Sequence, residues 1–107
     1  NMNSKLPFSI LYKNKNLDFF FDLHPNTVNQ DKVGEIASIL LNKLDVELKN
    51  GEPTSDGDLI QALALFVAAR IEVSNADNDK ISNFFSDTLS SALKNINSGK
   101  VTKIGNS

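Results

Sequence analysis

Residues 6–23 read LPFSILYKNKNLDFFFDL, two short apolar runs on either side of the polar tetrapeptide Lys13 to Asn16. With Asn14 and Lys15 as a two-residue turn, Tyr12 faces Leu17, Ile10 faces Phe19 and Phe8 faces Phe21, and all six side chains share one face. A strand's side chains alternate between faces, so a slip of one residue would turn one apolar set outward. The stretch therefore predicts an N-terminal β-hairpin over about 6–23.

Beyond Asn29 the apolar period changes from two to 3.6. Val33, Ala37, Leu40, Leu41, Leu44 and Leu48 form one stripe of a helix over about 29–50. Thr27 and Gln30 stand at capping-box spacing at its start, and Gly51 is placed to end it. Leu44, Val46 and Leu48 also alternate, so Leu44 to Lys49 admits a strand, although the helical stripe continues through it unbroken. A second helix, about 56–73, follows Pro53, with Ser55 as cap and Asp58 three residues on. It is apolar over most of its circumference, with Ile60, Leu63, Ala64, Val67 and Ile71 facing one way and Leu65 and Ala68 the other. Such a helix is expected to be central. A third, about 77–97, has Ser74 and Asp77 near its start and carries Ile81, Phe84, Phe85, Leu89, Ala92, Leu93 and Ile96 on one stripe. Phe84 and Phe85 are both expected in the core. Gly99 ends it, and 98–107 is a polar tail. The fold class expected is α+β: an N-terminal β-hairpin packed on a layer of three α-helices.

At 107 residues, 40% hydrophobic and 22% charged, the chain is expected to be one folded domain, 1–107. It has no cysteine, so it offers neither a disulfide nor a thiolate ligand or nucleophile. The start lacks the basic and apolar blocks of a secretory signal, and Asn1 ahead of Met2 reads as an added or processed terminus. The longest apolar run, Leu59 to Ile71, is broken by Gln61 and Arg70 and falls short of the ~20 residues a bilayer span needs. A soluble, cytoplasmic protein without a membrane partner is expected.

The net charge of −2 argues against an obligate nucleic-acid binder. The charges are nevertheless segregated. Lys5, Lys13 and Lys15 at the front and Lys94, Lys100 and Lys103 at the back flank a middle that holds all thirteen carboxylates. These are ordinary solvated charges unless the hairpin tip and the tail converge into a basic patch.

No catalytic, cofactor-binding or metal-ligating set stands out. Asp77 and Asp79 begin like a calcium loop, but Ile81 and Ser82 occupy the positions that need an oxygen ligand and a glycine, and Ile60 spoils Asp56 and Asp58 in the same way. Both pairs read as helix-start carboxylates. The five glycines form no phosphate-binding loop. His24, the only histidine, lies beside Pro25 and reads as a turn residue. Arg70, the only arginine, flanks the apolar stripe of the second helix; an internal ion pair fixing register is the structural reading, and a ligand or partner anion the functional one.

Some apolar residues are surplus. Leu11 and Phe20 point away from the hairpin's apolar face, and Ile39 and Val46 lie one heptad apart on the far side of the first helix. A third strand from the tail or from Leu44 to Lys49 would cover some of them, and a second copy of the chain would cover them otherwise. The function expected is a non-enzymatic protein-interaction or regulatory module acting as a homodimer, with Leu11, Phe20, Ile39 and Val46 as candidate interface. The alternative is a small ligand-binding protein or enzyme with a pocket between hairpin and helices near Arg70 and His24.

Overall fold

The computed structural model describes residues 4–105; Asn1 and Met2, and the last two residues of the polar tail, lie outside them. The chain is α+β, with strands β1 (Lys5–Tyr12) and β2 (Lys15–Asp22), helices α1 (Gln30–Asn50), α2 (Asp56–Val73) and α3 (Asn78–Asn97), and a short strand β3 (Lys100–Lys103). Leu44 to Lys49 is helical, and the tail supplies a third strand. The sheet is antiparallel in the order β1-β2-β3.

The hairpin register differs from the expected one by two residues. Lys13 and Asn14 form the turn, with φ of 47° and 61°, as a type I′ turn requires at both central positions. Phe8 therefore faces Phe19, Ile10 faces Leu17 and Leu6 faces Phe21, while Tyr12 faces Lys15. A shift of two preserves the face of every side chain, so the apolar pattern fits both registers. The outer face separates them. In the observed pairing Lys5 stands opposite Asp22 and Ser9 opposite Asp18, and both pairs are hydrogen-bonded. The expected register would set Ser9 against Phe20 and Leu11 against Asp18. Opposed strand residues gain most when their chemistries match. On the inner face the Phe8 and Phe19 rings pack tilted, with centroids 5.9 Å apart.

Two compact units are distinguished, one of Asn1–Ala37 and Asp87–Ser107, the other of Ser38–Ser86. In the first, the only buried apolar residues among those described are Leu17, Phe19 and Leu23. Leu6 meets the first turns of α1, where a Cβ on Gly34 would lie 3.4 Å from it. The end of α3 is tied to β2 through Asn95, whose Oδ1 accepts the Asp22 backbone N–H at 2.9 Å and whose Nδ2 donates to Asp22 Oδ2 at 3.0 Å. Lys5 Nζ donates to the other oxygen of the same carboxylate at 2.5 Å. Gly99 then lets the chain pass directly over β2. A Cβ there would come within 2.7 Å of the Asp18 carbonyl oxygen and 2.9 Å of Leu17 Cδ1.

In the second unit no described residue is buried. Leu44, Leu59, Val67, Ile71 and Ile81 are half-buried. This corrects the expectation that α2 is central: Ile60 is 64% and Leu65 74% exposed. It also corrects the placing of Phe84 and Phe85 in the core, for both are exposed to nearly half their area. The apolar positions are where the helical period puts them, but their own unit leaves them largely exposed.

Helix starts follow side-chain capping. Ser55 and Asp58 form a complete capping box on α2. α1 is capped by Asn29, whose side chain accepts the Lys32 N–H at 3.1 Å, because Thr27 is engaged with the His24 carbonyl instead. α3 is capped by Asp77 through the Lys80 N–H, and Ser74 closes α2 rather than opening α3.

Two outcomes are expected. Gly99→Ala forces a methyl against the Asp18 carbonyl and costs about 1–3 kcal/mol, read as a lower denaturation midpoint with faster amide exchange over 100–103. The Asp22 carboxyl is held below the usual aspartate range, first by its hydrogen bond from Lys5 and then by Asn95. Its stabilising contribution is complete above the ordinary aspartate value of about 3.9 and is lost as the pH falls through the lowered folded-state value. Asp22→Asn should remove that part of the acid dependence of melting while leaving the dependence elsewhere unchanged.

Candidate interaction surface

On the outer face of the sheet, β1 presents Lys5, Pro7, Ser9 and Leu11, and β2 presents Asn16, Asp18, Phe20 and Asp22. Leu11 is 66% and Phe20 61% exposed. Their arrangement differs from the diagonal contact expected, because Leu11 stands opposite Asn16 and Phe20 opposite Pro7. Ser9 and Asp18 lie between them, with the Ser9 hydroxyl donating to the Asp18 carboxylate. That bond, with lesser help from Asn16 and Lys100, keeps the Asp18 carboxyl below its ordinary range. The two apolar side chains are thus separated by a hydrogen-bonded hydroxyl and carboxylate and form no continuous patch on this face.

Ile39 and Val46, 50% and 60% exposed, lie on the side of α1 opposite its half-buried Ala37 and Leu44. Polar Asn42 and Lys43 intervene between them in the same helix. The more continuous apolar exposure is on α2, which sequence reasoning took for a core helix. Its uniform apolarity was the signal, and it carries two meanings, a helix inside one chain or a helix between chains.

Arg70 is exposed in the last turn of α2, in the second unit. Among the described residues the ion pairs are Lys5–Asp22 and Lys32–Glu35, so the internal pair expected for Arg70 is not formed. Solvent removes the need for one, since an exposed guanidinium pays no desolvation cost. Arg70 lies where a cation complements the negative end of the helix dipole.

His24, in the first unit, organises the turn that leaves the hairpin. Its Nδ1 accepts the Asn26 N–H at 3.0 Å, and its carbonyl accepts both the N–H and the hydroxyl of Thr27. Accepting at Nδ1 places the ring proton of the neutral form on Nε2.

The lysines of the two termini do converge. Lys15 of β2 stands opposite Lys103 of β3, Lys13 is in the adjoining turn, and the Ile104 N–H donates to the Asn14 carbonyl at 2.8 Å. Lys100 instead stands opposite Asp18. Three ammonium groups therefore share one end of the sheet, exposed and without a buried polar partner to fix an anion among them. Among the described residues no group of three or more His, Cys, Asp or Glu side chains is arranged to hold a metal ion, and no helix is long and apolar enough to cross a membrane.

Comparison with known proteins adds no assignment to this geometry: no family model, no curated protein and no solved structure matches the chain.

Proposed function

We propose that the chain is a non-enzymatic protein-interaction or regulatory module that works as a homodimer in the cytoplasm. The observation that carries this reading is surface area. Two compact units sharing the chain's 11.7 kDa would together expose about 7,100 Å² even without touching each other. The chain exposes 8844 Å². The excess, roughly 1,700 Å², is the share one partner contributes to an obligate homodimer interface, which buries about 2,000–5,000 Å² over both chains.

The nature of the excess supports the same reading. Helical residues that a folded chain normally buries, among them Leu40, Ile60, Leu65, Phe66, Phe84 and Leu93, are each exposed by about half or more. Scattered exposed apolar side chains carry no message, but a series of them along three consecutive helices does. A chain without cysteines suits a reducing compartment. Leu11, Phe20, Ile39 and Val46 are proposed as contacts of the assembly, with the α1 pair the better placed because both belong to one helix face.

Light scattering at micromolar concentration should report twice the chain mass. A monomer with an unchanged melting transition across a hundredfold dilution would refute the proposal. The double variant Ile39→Lys and Val46→Lys should weaken self-association at least about tenfold, corresponding to ~1.4 kcal/mol.

A further inference from the structure

The side of α2 that its own unit leaves uncovered is the most uniformly apolar face among the described helices. Val67 and Ile71 are half-buried and mark the inward side, while Leu59, also half-buried, lies at the edge of the other face one heptad before Phe66. Opposite Val67 and Ile71 lie Ala62, Leu65, Phe66, Ala69 and Val73, at i, i+3, i+4, i+7 and i+11, the spacing of one helical face. Leu65 is 74%, Phe66 50% and Val73 63% exposed, and both alanines are exposed. No charged residue falls within this stripe. The four charges of α2 are Asp56 and Asp58 in its first turn and Arg70 and Glu72 near its end.

We propose that this face of α2 docks on the same face of α2 in a second copy of the chain, with the two helices antiparallel about a two-fold axis beside Leu65 and Phe66. The inference rests on the homodimer reading and adds to it the surface and the orientation. A two-fold interface must be self-complementary, each patch meeting itself. The α2 face meets that condition in an antiparallel arrangement. When Leu65 of one chain lies beside Phe66 of the other, Ala62 lies beside Ala69, so small residues oppose small ones on both sides of the axis and the helices approach to the short end of the 8–10 Å range.

Charge selects the same orientation. Antiparallel docking brings the Arg70 end of each helix beside the Asp56 and Asp58 end of the other, and it also opposes the helix dipoles. Parallel docking would stack Asp56 and Asp58 on their own counterparts. Glu72, the carboxylate near the Arg70 end, accepts a hydrogen bond from the Asn78 side chain at 3.3 Å. Arg70, with no ion pair among the described residues of its own chain, gains carboxylates from its counterpart. The anion or partner contact anticipated for Arg70 is then a contact with a second copy.

A second copy is favoured over an unrelated partner because the surface excess is of homodimer size and the patch complements itself in both shape and charge. The natural absence of cysteine makes a crosslinking test clean. The double variant Ala62→Cys and Ala69→Cys should form a covalent dimer under mild oxidation, and either single variant should not. In the antiparallel pair two copies of residue 62 are about seven residues apart along the axis, ~10 Å, beyond the ~7 Å disulfide limit between Cα atoms. The same rise prevents residues 62 and 69 from bridging within one helix. Leu65→Glu should weaken self-association at least a hundredfold.

The outcomes separate the two proposals. Efficient crosslinking of the single variants would mean parallel helices and would overturn the orientation. A wild type of twice the chain mass that gives no crosslink with the double variant would place the dimer interface elsewhere and overturn the α2 surface alone. A monomeric wild type would overturn the homodimer itself. The cysteine variants are close in size to alanine at exposed positions, so they keep the test decisive even where Leu65→Glu does not fold.

Discussion

The central strand β2 is the constraint on which the first unit depends. Both of its edges are taken, by β1 and by β3, and its inner face carries Leu17 and Phe19, which with Leu23 just beyond it are the only buried apolar residues among those described. The end of α3 is held to it through Asn95 and Asp22, and the passage from α3 to β3 crosses it so closely that only glycine fits at position 99. Sequence-distant segments are thus fixed by one strand. Without β3, β2 would be half of a two-stranded ribbon, which is marginal alone in water.

The second unit follows a different logic. Its helices are locally well specified: α2 opens with a complete capping box, α3 with an aspartate cap, and the apolar residues recur with helical period. Capping and periodicity determine that a helix forms and which way its apolar stripe points. They supply about a kilocalorie per mole each, whereas burying the large apolar side chains contributes more. Three helices without a buried residue among those described have left most of that contribution unrealised. In the proposed assembly with a second copy, α2 would be the helix that realises it.

Charge placement separates the two candidate surfaces. Around Lys13, Lys15 and Lys103 like charges are brought together by strand pairing, on flexible side chains in water, where their mutual repulsion is weak and screened. Along α2 the charges are confined to the ends and the apolar face between them is clear. A surface designed by sequence to stay wet disperses its charges, and one that leaves water keeps them at the rim.

The sequence by itself determined the secondary structure class, the face each strand residue occupies, the second helix from cap to end, and the surplus of apolar residues, because all of these depend on local periodicity and short-range hydrogen bonding. It did not determine the hairpin register. Shifts of two residues leave every side chain on its own face, so the apolar pattern is blind to them, and the choice fell to the Lys5–Asp22 and Ser9–Asp18 pairs on the outer face. Nor did it show that the tail closes the sheet, since a four-residue strand has too weak a pattern to be read without its partner. Burial was the largest reversal. Amphipathic period tells which side of a helix prefers to leave water, but whether any surface is there to receive it is a property of the tertiary structure, and the second unit does not provide it for α2, Phe84 and Phe85.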